Sequence, residues 1–407
     1  MSSSPPDVAL TTLDDVKAAA QILDGVTRIT PVLRPVNLSA IAGRPLVLKC
    51  ENLQRTGSFK LRGAYRRISE LPAGSAVVTA SAGNHAQGVA LASTMCKLKS
   101  TVFMPSTAAL PKVQATRNYG AEVVLEGASF EDAGAAARAY AERESAVFVP
   151  AFDDPLVIAG QGTVGLELAE QAPEVETVVV PVGGGGLAGG IAAAMKALRP
   201  GRRVVGVEPA GAADMELSLQ AGEPVALDRV DTIADGIAVK KVSELTLAHA
   251  RAFVDDIVTV TDEEIARALV LLLERAKQVV EPASAAGLAA VLADTVGGDD
   301  GPVGVVLSGG NVDPSLIGRL IDFGLTAVGR YLMLRVVLDD RPGALHSLLG
   351  VIADLGLNVV EIDHHRTGVV PLAVDEVEVL LALETRDRAH QEETRQKIAA
   401  AGYRILG

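Results

Sequence analysis

The sequence predicts an α/β protein built on parallel sheets, followed by a smaller ferredoxin-like βαββαβ unit. Three observations predict it. Short apolar runs alternate with amphipathic stretches between residues 76 and 307. Glycine-rich turns stand directly behind several of those runs. Near residue 324 the pattern changes to strictly alternating apolar positions, the mark of half-buried strands.

Residues 1–13 read as a loose tail ending at a helix cap, Thr12 or Asp14. Residues 76–80, 100–104, 122–125 and 147–150 read as buried strands, with helices at 86–95, 111–119 and 131–144 between them. Strand 177–182, helix 187–198, strand 203–208, helices 263–280 and 283–294, and strand 304–307 continue the series. The uncharged stretch 177–195 has 19 residues, close to a membrane span, but Pro181 and six glycines suit a strand, a turn and a helix in a buried sheet. A linker is expected at 324–330. Beyond it Leu332, Leu334, Val336 and Leu338 alternate, Pro342-Gly343 turns the chain, and Leu345, Leu348, Leu349, Ile352 and Leu355 share one helical face. A strand at 357–365, an alternating strand at Val377, Val379, Leu381 and Leu383, a helix at 388–401 and a strand at 403–406 complete the unit.

Composition limits the function. The chain has 407 residues and a formal charge of −13, no Trp and only 3% aromatic residues. An acidic, aromatic-poor chain is unsuited to nucleic acid or to an anionic membrane surface. Two cysteines, Cys50 and Cys96, make no disulfide framework, and the first ten residues lack a basic-plus-apolar signal pattern. A cytoplasmic location is therefore expected.

Five constellations can carry chemistry. Lys60, in Thr56-Gly57-Ser58-Phe59-Lys60, stands among small residues and an aromatic, where desolvation makes an amine nucleophilic; an ordinary surface lysine fits the pentapeptide too. Ser81-Ala82-Gly83-Asn84-His85 follows a strand and opens a helix, so its backbone N–H groups can meet a carboxylate, and Asn84 can bind a cofactor oxygen; a capped βα turn looks the same. Gly183-Gly184-Gly185-Gly186-Leu187 lets the backbone approach a phosphate at a helix N-terminus. Gly184, Gly186, Gly189 and Glu208 also match a dinucleotide fingerprint, so the glycines alone do not separate NAD from another phosphorylated cofactor. Ser308-Gly309-Gly310-Asn311 puts a hydroxyl at a strand end, within reach of a ring nitrogen, or is a plain turn. Glu208, Ala212 and Asp214 offer two carboxylates and a carbonyl to a hard mono- or divalent cation, or are solvated acids. His364-His365 lacks metal-ligand spacing, the pairs Asp153-Asp154 and Asp299-Asp300 read as solvated faces in loops, and no G-x-S-x-G elbow or P-loop lysine is present.

Taken together, Ser58-Phe59-Lys60, Arg62-Gly63-Ala64, Ser81-Ala82-Gly83-Asn84-His85, the four glycines and Ser308-Gly309-Gly310 resemble the threonine dehydratases (threonine ammonia-lyases) over about residues 12–323. These are tryptophan-synthase-β-like, fold-type-II enzymes using pyridoxal 5'-phosphate. Asp340-Arg341-Pro342-Gly343-Ala344-Leu345 resembles the loop-to-helix junction of an ACT domain, an amino-acid-sensing module, at residues 331–407. The resemblance implies a catalytic unit at 1–323, with a large lobe at 1–66 and 151–323 and a small lobe at 67–150. It implies that Lys60 forms the Schiff base and then acts as the base at Cα. Phe59 and the backbone at Gly236 would sandwich the ring. Gly183, Gly184, Gly185, Gly186 and Leu187 would hold the phosphate, Asn84 the phenolic oxygen and Ser308 the ring nitrogen. Ser81, Ala82, Gly83 and Asn84 would grip the substrate carboxylate, and Glu208, Ala212 and Asp214 a cation.

The expected reaction is deamination of L-threonine to 2-oxobutanoate and ammonia, with L-serine giving pyruvate as a side activity. The related serine racemases carry a serine where this chain has Ala82, so racemisation is expected to be poor. Isoleucine or valine is the expected effector at the ACT domain, and a homodimer or homotetramer the expected assembly. Two other classes remain. An NAD-dependent dehydrogenase leaves Lys60 and the loop 81–85 unused, and a regulator without chemistry leaves Lys60 unexplained.

Overall fold

The computed structural model describes residues 9–298, 301–366 and 372–406. The chain divides into two compact units between residues 314 and 315.

The first unit holds two sheets. The larger has six strands in the order Val32–Leu33, Leu46–Cys50, Val303–Leu307, Thr177–Pro181, Arg203–Pro209 and Asp256–Val260. Every pairing in it is parallel except that of Val32–Leu33 with Leu46–Cys50. The smaller sheet is parallel throughout, in the order Glu122–Leu125, Lys99–Met104, Ala76–Ala80 and Val147–Phe148. Parallel strands covered by helices on both faces are continuous apolar runs, and Leu46–Cys50, Thr177–Pro181 and Val303–Leu307 are buried at every position. Local signals set the helix starts. Thr12 with Asp15 and Ser129 with Asp132 form reciprocal caps, and Asp154 caps Pro155–Gln171 with proline in the first turn.

Two expectations change. The helix expected at 263–280 is α-helical only over Asp262–Leu271; a π turn at Leu272–Ala276 and Lys277 at φ 57° then lead the chain out. Residues 278–281 are needed as a link into the cleft, and Asn52 Nδ2 holds them through Gln278 Oε1 at 3.0 Å and Val279 O at 3.2 Å. The span expected as a linker at 324–330 is helical up to Ala327, within Pro314–Ala327, and turns only at Gly329, where φ is +79°. The Asp299-Asp300 pair lies outside the described residues. The strand Leu46–Cys50 and the helix Pro155–Gln171 were not anticipated, because a short apolar run and a glycine-interrupted helix show no distinct period.

Two helices of this unit meet backbone to backbone. A Cβ added at Gly190 would lie 2.4 Å from Ile158 O and 2.8 Å from Gly162 N. Four charges balance, three of them buried and the fourth, Glu167, partly exposed. Arg62 Nε and Nη2 each donate to Glu51 at 2.8 Å, and Arg62 Nη1 donates to Glu167 at 2.6 Å. Lys49 Nζ donates to Glu167 and, at 2.7 Å, to Thr30 O. Burial alone would raise the Glu51 carboxyl; the charge and hydrogen bonds of Arg62 outweigh it and hold Glu51 below its ordinary value.

The second unit is the βαββαβ of the sequence reading. Its antiparallel sheet runs Val359–His365, Glu376–Glu384, Tyr331–Asp339 and Arg404–Leu406, with helices Ala344–Asp354 and Arg388–Ala400. Leu332, Leu334, Val336, Leu338, Val377, Val379, Leu381 and Leu383 all face its core, as their alternation requires. Val359–His365 is an exposed edge strand. Among the described residues no helix is long and apolar enough to cross a membrane.

Two outcomes are expected in denaturation experiments. Gly190→Ala overpacks the helix contact and lowers stability by about 1–3 kcal/mol. Glu51→Gln leaves excess buried positive charge beside Arg62 and costs about 3–5 kcal/mol, whereas an exposed charge change such as Glu122→Gln stays within about 0.5 kcal/mol.

Candidate active site

Three neighbouring strands of the large sheet end at one place. The strand Leu46–Cys50 leads through a short loop to Lys60, Val303–Leu307 leads to Ser308, and Thr177–Pro181 leads to the four glycines. Strand Ala76–Ala80 of the small sheet brings Ser81 to His85 to the same cleft, where Asn84 meets groups of the large-sheet lobe. Carboxyl ends of parallel strands are where α/β sheets form binding crevices.

The lysine segment is pinned beside Ser308. Phe59 N donates to Ser308 O at 3.1 Å, and Gly310 N donates to Gly57 O at 2.8 Å. Lys60 begins the helix Lys60–Ile68; its Nζ donates to Ala151 O at 3.0 Å and lies 5.1 Å from the Phe59 ring centroid. Burial draws the amine down to about 8, against the opposing charge of Glu281. Phe59 itself packs into the core with Val47 and Leu187.

At the four-glycine turn, Gly185 has φ +84° and precedes the helix Gly186–Leu198, whose first N–H groups have no acceptor within the helix. Side chains at Gly184 or Gly186 are excluded by Phe152, since added Cβ atoms would fall 2.1 and 3.0 Å from it. Bare backbone and a helix N-terminus make an anion site.

Asn84 Nδ2 donates to both carboxylate oxygens of Glu281, at 2.8 and 3.0 Å, and Asn84 Oδ1 accepts from Asn311 Nδ2 at 2.8 Å. Ser81 Oγ accepts from Gly83 N at 3.2 Å, and Ala82 packs against the small-sheet core. Ser308 is buried, with its Oγ 3.1 Å from Ser284 Oγ. His85 Nε2 is 3.0 Å from Val149 O, and burial together with the Lys60 charge pushes the imidazole down to about 3, so it is neutral and no proton donor at neutral pH. Gly236 lies beside Ala283 and Glu281, its added Cβ meeting them at 3.0 and 3.3 Å.

Three buried polar atoms around the cleft have no protein partner: Ser58 Oγ, His85 Nδ1 and Gln161 Oε1. Such groups are costly unless something polar satisfies them, which fits a phosphorylated cofactor and its substrate. Asn311 closes the motif 308–311, but Glu281, Ser284, Ala151 and Gln161 were not singled out from the sequence. Glu281-Pro282 in an otherwise apolar run was the one available signal, a carboxylate where burial is expected.

Glu208 and Asp214 lie apart from this cleft's lysine, at the end of the next strand. Glu208 accepts from Met215 N at 2.8 Å and Glu216 N at 2.9 Å, so it is not free for a ribose as a dinucleotide fingerprint requires. Both Asp214 oxygens are buried without a partner, and burial raises both carboxyls. Among the described residues no group of three or more His, Cys, Asp or Glu side chains is placed to hold a metal.

Comparison with known proteins agrees with this geometry. The family model for pyridoxal-phosphate dependent enzymes matches residues 23–309, and that for the ACT domain matches 332–402. The chain is similar to the L-threonine ammonia-lyase of Thermotoga maritima, 46% identical over 97% of this chain and 100% of the relative. Among solved structures, a threonine deaminase from T.th. superposes with TM-score 0.71 at 43% identity, over 74% of this chain and 99% of that one. Maize serine racemase superposes with TM-score 0.74 at 35% identity, over 78% and 99%. The chain thus belongs to the fold-type-II pyridoxal-phosphate-dependent enzymes and carries an ACT domain behind the catalytic unit.

Proposed function

We propose that this protein is an L-threonine ammonia-lyase, converting L-threonine to 2-oxobutanoate and ammonia and, as a side activity, L-serine to pyruvate. The observation that carries this reading is the desolvated Lys60 amine at the meeting of the four-glycine turn, Ser308 and Asn84. Lys60 Nζ would hold pyridoxal phosphate; once the substrate amine has replaced the lysine on it, the group would supply an electron sink that makes the Cα proton removable.

The chain's own residues do the rest. Gly183, Gly184, Gly185, Gly186 and Leu187 would hold the phosphate through backbone N–H groups. Phe59 and the backbone at Gly236 would flank the ring, with Asn84 toward its oxygen and Ser308 toward its nitrogen. A serine hydroxyl does not deliver a full proton to that nitrogen, so little charge is drawn into the ring, which suits loss of a β-hydroxyl. Ser81, Ala82, Gly83 and Asn84 hold the substrate carboxylate at a helix N-terminus. Lys60, once displaced, takes the Cα proton; an amine lowered to about 8 has a usable neutral fraction near neutral pH. Ala82 carries no proton, so the opposite face of Cα has no base at this position and racemisation stays slow.

The unpartnered Asp214 oxygens, Glu208 and the Ala212 carbonyl would hold a cation. The ACT domain senses an amino acid, for which isoleucine or valine is our choice. A homodimer or homotetramer is in keeping with its exposed edge strand. Two free cysteines suit a reducing compartment, the cytoplasm.

Lys60→Ala is expected to lower 2-oxobutanoate formation by at least about a thousandfold, followed by a keto-acid assay; substantial residual deamination rules out Lys60 as the attachment site and base. Deleting residues 330–407 is expected to abolish the change in threonine deamination rate on adding isoleucine or valine. If the response survives the deletion, the sensor lies elsewhere.

A further inference from the structure

Glu281 is 5% exposed and ionisable, and it sits in the centre of the site, yet no step above uses it. Its partner is Asn84, and the Asn84 amide is constrained on both sides. Asn311 Nδ2 donates to Asn84 Oδ1 at 2.8 Å and to Thr56 O at 2.7 Å, while Asn84 Nδ2 donates to the carboxylate. An ionised carboxylate only accepts, and the carbonyl of Thr56 fixes Asn311 as the donor, so one orientation of the Asn84 amide remains. One hydrogen shared between the two oxygens of Glu281 leaves the second N–H of Asn84 available.

The surroundings make room for this contact. An added Cβ at Gly309 would lie 2.6 Å from Glu281 Oε1, and one at Gly236 would lie 3.3 Å away. The π turn at Leu272–Ala276 and the Asn52 contacts redirect the chain so that Glu281 points inward as the cap residue of Pro282–Leu292. The bond also joins the two lobes, since Asn84 opens a helix of the small-sheet lobe while Glu281 belongs to the large-sheet lobe.

We propose that Glu281 is a positioning residue: its ionised carboxylate holds the Asn84 amide so that the free N–H is presented to the ring oxygen of the cofactor, and neutralising that charge loosens the amide without freeing it. This rests on the reading of Lys60 and Asn84 given under Proposed function. Burial pushes the Glu281 carboxyl up to about 7, opposed by its bond from Asn84. Asp235, on the turn Asp235–Ile237, pushes in the same direction as burial, whereas Lys112, on the helix Leu110–Asn118, and Lys60 oppose it. The hold on Asn84 is therefore complete above neutral pH and weakens as pH falls.

The test compares wild type, Glu281→Gln and Glu281→Leu in two measurements. The first is the visible absorption band of the holoenzyme between about pH 5.5 and 8.5. The second is the affinity of the apoprotein for pyridoxal phosphate, read by fluorescence titration. Wild type is expected to show a spectral step near neutral pH. Glu281→Gln keeps an acceptor, so affinity stays within about threefold while the step disappears. Glu281→Leu removes the acceptor and weakens affinity by about tenfold or more. A Glu281→Gln step identical to wild type overturns the proposal, as does wild-type affinity in Glu281→Leu. If the leucine variant does not fold, the near-isosteric glutamine variant decides alone. A purely structural role would lower the thermal midpoint of both variants and leave the spectral step in place, which also overturns it. A wild-type holoenzyme without a band removable by Lys60→Ala overturns the site reading itself; with that band present, an unchanged Glu281→Gln overturns this inference only.

Discussion

The buried charge cluster around Arg62 is the constraint on which the rest of the site depends. Arg62 is two residues beyond Lys60 on one helix, and residues two apart on a helix point away from each other. Fixing Arg62 between Glu51 and Glu167 therefore aims Lys60 the opposite way, into the cleft. The cluster reaches further than this helix. Lys49 lies on the strand Leu46–Cys50, Glu51 on the turn behind it, and Glu167 and Thr163 on the helix Pro155–Gln171. A planar guanidinium meets two carboxylates at once with paired hydrogen bonds, which a lysine at this position would not do. Two cations and two carboxylates balance, and the balance lets Lys49, Glu51 and Arg62 stay out of water beside the partly exposed Glu167.

Close backbone approach is the second constraint. A Cβ at Gly88 would stand 3.0 Å from the Lys60 carbonyl carbon, and one at Gly160 would stand 2.6 Å from Arg62 O. The helix bearing Lys60 is thus gripped between a small-lobe helix and a large-lobe helix at backbone distance. Because the small lobe comes this close, the Asn84 loop reaches Glu281 and Asn311 instead of stopping short in solvent. The four-glycine turn leaves its backbone bare by the same principle, with Phe152 packed where side chains would otherwise stand.

The ACT domain is organised on different terms. Its core is a single layer of alternating strand residues covered by two helices, and it is separate from the catalytic unit's cores. Regulation by such a module needs an effector that binds two states of the protein with different affinity, which is a property of the assembly and not of one domain's packing.

Much of this was legible in the sequence. The alternation of apolar runs pointed to parallel sheets, the period-two pattern after residue 330 to the βαββαβ unit, and the motifs at 56–60, 81–85, 183–187 and 308–311 lie around one cleft. These are local signals: a strand's period, a helix cap and a run of glycines are each decided by neighbours in the chain. What the tertiary structure alone decided is which groups meet. Glu281 faces Asn84 across 197 positions of sequence, and Ser284 faces Ser308 across 24. The helix expected at 263–280 stops early, and Gln278 and Val279 beyond it are held by Asn52, a contact that no local pattern records. Whether a charged side chain is solvated or buried against a partner depends on what the fold brings beside it, and that is set by packing between distant segments, not by the residue or its neighbours.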